Sequence, residues 1–396
     1  IIHVMLIVYN FFYILLLPIL ILRDLIVIKK NKLKTISKKL GFNMSGSKSP
    51  TIWLHGVSLG EIKILSPLAK KLIDQGESVL ISATTNTGRE EVYKVFREKE
   101  VSILTFPYDL GFIYKKIIKK FNVKKLVLFE SEFWPNLLNS SPKKLKIMSL
   151  NTSISDSTFS RLNLIKGLAK KMIRRVDLYL AQSQLTVDRL KLLDAKKIKL
   201  LGNIKINPEN YEANENLDFK FNEIFDDKNL FKVVLGSSHE GEEEFVFNAW
   251  KKLENSALIL APRHPERISL VKQVFKNHKN VYIFEKVGSL FDLYSQADIA
   301  IVGGSIIFRK GHNFMEPVYA NIPSITGEHL ENYKDLKVKL CDTGIFETFK
   351  TENELSALLK KYTNSELRQK KLNEQKIALE KISGSYESVL VALDEL

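Results

Sequence analysis

The sequence predicts two doubly wound α/β domains behind an N-terminal membrane segment. Three observations carry that expectation. Short apolar runs alternate with amphipathic helical stretches, the pattern of parallel sheets covered by helices. The alternation stops at a polar, acidic stretch, 207–229, and then starts again. Residues 1–22 are almost continuously apolar. A length of 396 residues also suits two cores better than one.

The apolar N-terminus is broken only by His3, Asn10 and Pro18. A helix of ~20 residues is about as long as a bilayer core is thick. Arg23, Lys29, Lys30, Lys32, Lys34, Lys38 and Lys39 follow it. Basic residues stay on the cytoplasmic side, so everything after Arg23 is expected there. No basic segment precedes the run and no small-residue cleavage site follows it, which argues against a cleaved signal peptide. Length favours a spanning helix; Pro18 leaves an interfacial helix open. Residues 1–42 therefore read as an anchor with a basic juxtamembrane segment.

A Ser/Gly/Pro-containing linker, 43–50, leads into a domain expected over 43–210. Its first strand, 51–54, runs through a Gly-bounded turn into a helix over 61–75. Ile62, Leu65, Leu68, Ala69 and Leu72 give that helix its apolar face. A strand over 78–83 and a helix over 88–97 come next. Further strands are expected at 101–106, 125–129, 146–150 and 178–181. The second domain, 211–396, restarts with a strand at 232–236, a helix at 242–253, a strand at 257–261 and a helix at 264–275. Strands at 281–284, 299–302 and 324–325 complete its sheet. The charged helical tail, 352–396, is expected to fold back over the domain junction. In such folds ligands bind at the carboxyl ends of the strands, so a cleft there is the expected site.

The net charge of +15 is unusual for a chain with 27% charged residues. It fits an anionic partner, either lipid headgroups or a phosphorylated substrate, and equally a Lys-rich composition. Lys115, Lys116, Lys119 and Lys120 cluster. Lys166, Lys170, Lys171, Arg174 and Arg175 repeat at helical spacing. No nucleic-acid module with stacking aromatics is visible. Cys341 is the lone cysteine, which excludes an intrachain disulfide or a cysteine zinc site. No His-Glu-x-x-His spacing occurs, and a helix-capping acidic run explains His239 and its glutamates better than a metal does. Neither a Walker phosphate loop nor a Gly-x-Gly-x-x-Gly fingerprint is present. No metal and no cofactor are expected.

Several segments carry candidate chemistry. Glu61 closes His55-Gly-Val-Ser-Leu-Gly-Glu61 in the first turn of a helix. It reads either as a carboxylate complementing the helix dipole or as a general base. A useful base would need apolar surroundings to hold its pKa up. Glu130 and Glu132 follow a strand, and alternation would place them on one side of an extended chain. They read as acids in the cleft or as an N-terminal pair for a helix opening at Pro135. Lys205, after the turn at Gly202, reads as a phosphate partner or a surface lysine. Residues 236–244 and 303–305 combine strand ends, glycines and helix starts, whose amides suit an anion. Arg263 is the best-placed oxyanion clamp, because its guanidinium binds two oxygens at once. Glu316, one turn past Gly311, suits ribose hydroxyls.

Taken in order, these motifs resemble the bacterial 3-deoxy-D-manno-octulosonic acid (Kdo) transferases of lipopolysaccharide synthesis. The resemblance runs over nearly the whole chain: the anchor, 55–61, 130–136, 151 onward, 202–205, 238–243, 262–267, 288–298, 303–305 and 311–317. It implies a GT-B fold, CMP-Kdo as donor and a lipid A precursor (lipid IVA) as acceptor. It implies an acceptor-binding N-terminal domain, a CMP-Kdo-binding C-terminal domain and an inner-membrane location. It implies that Glu61 is the base of an inverting transfer and that Glu130 and Lys205 stabilise the transition state. CMP contacts would fall on Arg263, His264, Val287, Gly288, Ser289, Asn313, Phe314, Met315 and Glu316. The chain departs from the usual pattern at Lys310, at Phe314-Met315, at Ser289 and at Ser153, where the family usually carries Gly, Pro-Leu, Glu and Arg. Ser289 bears on one CMP contact and Ser153 on acceptor handling. Two other readings remain at this stage: a related transferase using another nucleotide sugar such as a UDP-sugar, and a membrane-tethered protein that binds polyanions.

Overall fold

The computed structural model describes residues 2–28, 31–44, 49, 51–96, 101–207, 221–225, 227, 229–285, 290–308, 311–331, 340 and 343–396. Contacts divide the chain into two compact units. One comprises Ile1–Asn210 with Ser383–Leu396, the other Tyr211–Ile382.

The first unit is built on a parallel sheet of seven strands. These are β1 (Thr51–Gly56), β2 (Ser78–Ala83), β3 (Ser102–Thr105), β4 (Val123–Phe129), β5 (Lys146–Thr152), β6 (Leu178–Ala181) and β7 (Ile198–Leu200). Their order is β3-β2-β1-β4-β5-β6-β7. Every residue of β1 is buried, as expected of a strand covered on both faces. The helix Leu59–Asp74 buries the five apolar positions that its spacing selects, and also Ser66. It begins at Leu59, two residues before the expected start, because Ser58 supplies the N-cap. Similarly, Thr85 caps the helix Asn86–Val95 through Gly88 N–H, which moves that start forward too. Strand β7 was not expected: it has three residues, none of them buried.

The second unit has six parallel strands: β8 (Phe231–Ser238), β9 (Ser256–Pro262), β10 (Val281–Ile283), β11 (Ile299–Val302), β12 (Ser324–Gly327) and β13 (Phe346–Phe349). Their order is β10-β9-β8-β11-β12-β13. The helix expected over 264–275 divides into a 3-10 turn, Pro265–Arg267, and the helix Ile268–Phe275. In both sheets the winding reverses beside the first strand, between β1 and β4 and between β8 and β11. Those are the topological switch points, where chain segments diverge and leave room for a ligand.

The C-terminal helix, expected to pack back over the domain junction, joins the first unit. Helix Tyr386–Asp394 belongs to the core of the first unit, through Tyr386, Val389, Leu390, Ala392 and Leu393. Tyr386 Oη donates to Ile64 O at 2.7 Å. Five buried apolar residues in nine give this helix a face that only a core can cover, so packing decides its place.

The N-terminal helix, Ile2–Val27, is apolar and long enough by composition to cross a membrane. One stripe of it is nevertheless fastened to the first unit. Leu6 enters the core. Tyr9 Oη donates to Asp109 Oδ2, and Asp109 N–H donates to Tyr13 Oη, both at 2.8 Å. Asn136 Nδ2 donates to Asn10 Oδ1 at 2.6 Å. At the far end Asp24 accepts from Lys39 Nζ at 2.7 Å and from Tyr108 Oη at 2.8 Å. These positions share one helix face. The remaining surface, including Ile7, Phe11, Phe12, Leu15, Ile19, Leu22 and Ile26, is exposed and apolar.

Candidate functional site

The first switch point carries Glu61 and Glu130. Strands β1 and β4 are hydrogen-bonded neighbours, so the segments leaving their carboxyl ends emerge side by side. Glu61 sits three residues after its N-cap, Ser58. Its Oε2 accepts from Val57 N–H at 2.7 Å and its Oε1 from Ser58 Oγ at 2.9 Å. This is a variant of the capping box, with the carboxylate reaching back over the helix start. Two donors of the chain itself hold it.

Glu130 follows β4 with φ of 59°, in the left-handed region. The segment is therefore not extended, and the expected placement of Glu130 and Glu132 on one side is corrected. Glu132 Oε2 accepts from Trp134 Nε1 at 2.7 Å and lies 3.8 Å from Nε2 of the buried His55. Glu130 turns to Lys205: Nζ to Oε1 is 2.5 Å. Neighbouring β5 fixes both partners. Glu130 N–H donates to Leu150 O at 2.8 Å, and Ser149 Oγ donates to Glu130 O at 2.8 Å. On the other side Asn151 Oδ1 accepts from Ile204 N–H at 3.0 Å, which holds the 3-10 turn Ile204–Ile206. Gly384 backs that turn; a Cβ there would lie 2.9 Å from Ile204 N, so a larger residue would push Lys205 away. Both side chains are more than a third exposed, so solvent screens the pair and its value is positional rather than stabilising.

The second switch point has a different design. The amides of 303–305 were expected to receive an anion. Instead Gly303 N–H donates to Gly236 O at 2.8 Å. Gly304 N–H donates to Glu242 Oε2 at 2.7 Å, and Ile306 and Ile307 N–H donate to Glu242 Oε1 at 3.0 and 3.2 Å. His239 N–H adds a fourth bond, to Oε2 at 3.0 Å. Glu242 is fully buried. A carboxylate of the chain itself thus fills the anion nest, and it takes the His239 amide of 236–244 as well. Its neighbour Glu243 takes Ser238 Oγ at 2.8 Å and both Arg267 nitrogens, at 2.9 and 3.1 Å.

What remains open here is cationic and imidazole-rich. Arg263 and His264 are exposed after β9. The Arg263 guanidinium makes no ion pair among the described residues. His239 stacks on Phe308 at 4.0 Å, meets His264 edge-on at 5.4 Å and bonds His312 through Nε2 atoms 2.8 Å apart. Gly304, at φ of 70°, lets the His312 ring lie against it; a Cβ would come within 2.6 Å. Asn313 Oδ1 accepts from Met315 N–H at 3.2 Å, closing the turn before the helix Glu316–Tyr319. Phe314 and Met315 are core residues, at 0% and 1% exposure, so neither side chain is available to a ligand. The contacts expected of them would have to come from the backbone. Burial raises the Glu316 carboxyl to about 7, against the lowering effect of Arg263. Val287, Gly288 and Ser289 lie outside the described residues.

Sequence reasoning took His239 only as a metal candidate and passed over His312 and Glu242's loop role. The partners lie 73 and about 62–65 residues apart, so no local pattern joins them. Part of the basic helix Lys166–Arg175 is also committed internally: Lys170 and Arg174 pair with Asp194, and Arg175 binds Asp177 and two carbonyls.

A family model described as 3-deoxy-D-manno-octulosonic-acid transferase (kdotransferase) matches residues 34–207. A bifunctional glycosyltransferase/methyltransferase of Fusobacterium nucleatum is 32% identical over 334 residues, covering 78% of this chain and 52% of that protein. The chain thus spans about half the length of that relative. A 3-deoxy-D-manno-octulosonic acid transferase of Haemophilus influenzae is 28% identical over 363 residues, 83% of each chain. The solved structure of Acinetobacter baumannii MurG superposes with a TM-score of 0.55 at 12% identity, covering 88% of this chain and all of that one. At that identity the likeness concerns fold alone. Two parallel α/β units of GT-B type, with these relatives, make the chain a glycosyltransferase that belongs to the Kdo transferase family.

Proposed function

We propose that the chain transfers Kdo from CMP-Kdo to a lipid A precursor, lipid IVA, with inversion at the anomeric carbon and Glu61 as general base. The observation that carries this reading is the Lys205–Glu130 pair at the edge where the Glu61 segment also emerges. A base and a fixed cation are what an inverting transfer without a metal needs. The acceptor hydroxyl has a pKa far above 7, so its proton must leave as its oxygen attacks. Each Glu61 oxygen accepts one bond from the chain and keeps a further lone pair for that proton. The anomeric carbon–phosphate bond breaks as the new glycosidic bond forms, and charge grows on the departing CMP. Lys205, oriented by Glu130, is a cation suited to that charge. Glu316 would meet the ribose.

The test is mass spectrometry of the product from CMP-Kdo and lipid IVA with the chain in detergent. The expected product carries added Kdo, and CMP rather than UDP inhibits its formation. An unmodified acceptor overturns the reaction, and equal inhibition by UDP overturns the donor.

The N-terminal helix would hold both units on the cytoplasmic side of the inner membrane, lying in the interface. Its bonds run from Leu6 to Asp24, ~27 Å of helix at 1.5 Å per residue. A crossing helix would have to give them up or drag Asp109 and Lys39 into lipid. The exposed apolar face suits the acyl boundary, and the lysines that follow suit anionic headgroups. In a Cys341→Ser background, single cysteines at Val4 and Val27 are expected to react with an impermeant thiol reagent from the same side of a vesicle. Labelling from opposite sides would establish a crossing helix.

A further inference from the structure

The bond between His239 and His312 has a consequence for charge. An Nε2···Nε2 hydrogen bond holds one proton, so one ring donates and the other accepts. With both rings neutral, one Nδ1 carries N–H and the other is a bare acceptor. One added proton keeps the shared bond, places N–H on both Nδ1 atoms and gives the pair a positive charge.

The surroundings hold the pair neutral while no anion is bound. Burial pushes His312 down to about 4, with His239, Arg263 and His264 adding to the effect. Burial also lowers His239; Glu242 and Glu243 oppose this, while His264 and Arg267 reinforce it. Of the facing carboxylates, Glu242 is spent on four amides and Glu243 on Ser238 and Arg267. Glu316, on the next helix, faces Arg263. Arg263 makes no close ion pair among the described residues, although it lowers the Glu316 carboxyl. An anion bound here would oppose the effects that keep the imidazoles neutral.

We infer that His239 and His312 form a proton-linked receptor for a phosphate monoester: binding beside Arg263 draws one proton from solvent into the imidazole pair. The inference rests on the reading of this unit as the CMP side of the site. It gives the pair a role that neither ring has alone. A neutral pair offers one outward N–H, whereas the charged pair offers two and a full positive charge close to the ligand's phosphate. Proton uptake would then favour retention of CMP at lower pH and its release at higher pH.

Titration calorimetry of the full chain with CMP, in buffers of different ionisation enthalpy at about pH 7.5, measures the protons taken up. CMP is then mostly the dianion, since a phosphate monoester has its second pKa near 6. The wild type is expected to take up about half a proton or more per CMP. His312→Gln is expected to take up almost none. CMP binding with no uptake, or with uptake unchanged in His312→Gln, overturns this inference and leaves the donor reading standing. Absence of CMP binding between about pH 6 and 8 overturns the donor reading and this inference with it. If His312→Gln does not fold, nitrogen-15 spectra of the wild-type imidazoles decide. One ring nitrogen should pass from bare to protonated on CMP addition, and an unchanged set of bare nitrogens overturns the inference.

Discussion

Replacing Glu61 with Gln is expected to lower the turnover of Kdo transfer about 100-fold or more while leaving the fold intact. The amide cannot take a proton, but it can keep both local bonds. Its oxygen can accept from Val57 N–H and its nitrogen can donate to Ser58 Oγ, where the carboxylate now accepts. The helix start at Leu59 therefore loses little. Glu61→Ala would confound the result, because a lost cap costs ~0.5–2 kcal/mol by itself. Thermal unfolding of Glu61→Gln should stay within a few degrees of wild type while kcat falls and KM barely moves. A mutant that keeps more than about a tenth of the wild-type rate would return Glu61 to a purely capping role. The distinction matters because the geometry supports both roles: the same carboxylate that closes a capping box stands at the first switch point.

Features that run along the chain were legible in the sequence. Ile62, Leu65, Leu68, Ala69 and Leu72 recur at helical spacing, and all five are buried. The two parallel sheets follow from the alternation of runs, because strand and helix periods are local properties. One local signal was present and went unused. Ser58-Leu-Gly-Glu61 is a capping-box spelling, and it would have placed the helix start at Leu59. The polar stripe of the N-terminal helix is similar. Hydropathy registers Tyr9, Asn10, Tyr13 and Asp24 as blemishes in an apolar run, yet their spacing puts them on one face. Other features had no local signal. A left-handed φ at Glu130 cannot be read from a glutamate, so alternation misplaced it. Glu242 looks like a helix-start acid because three of its four amide partners are about 62–65 residues away, brought close by the pairing of β8 with β11.

Glu242→Ala is expected to be the most destabilising single change in the second unit. The fully buried carboxylate satisfies four backbone N–H groups, and alanine leaves all four without an acceptor. Each unsatisfied buried donor costs ~1–3 kcal/mol, but water entering the vacated space recovers part, so a net loss of about 3–5 kcal/mol is expected. For a unit of this size, that lowers Tm by roughly 10 °C. Glu242→Gln should fall between wild type and alanine, because its oxygen can serve two of the amides while its NH2 faces the others donor to donor. Calorimetry on the three proteins checks the order, and an unshifted Tm in Glu242→Ala would show that the loop stands without its carboxylate. The effect should reach beyond stability. Glu242 fixes the backbone of His239 and of Gly304, and His312 rests against Gly304. Loss of the carboxylate therefore frees both halves of the imidazole pair at once. CMP affinity should fall more in Glu242→Ala than in His312→Gln, which loses one ring of the pair and keeps the loop.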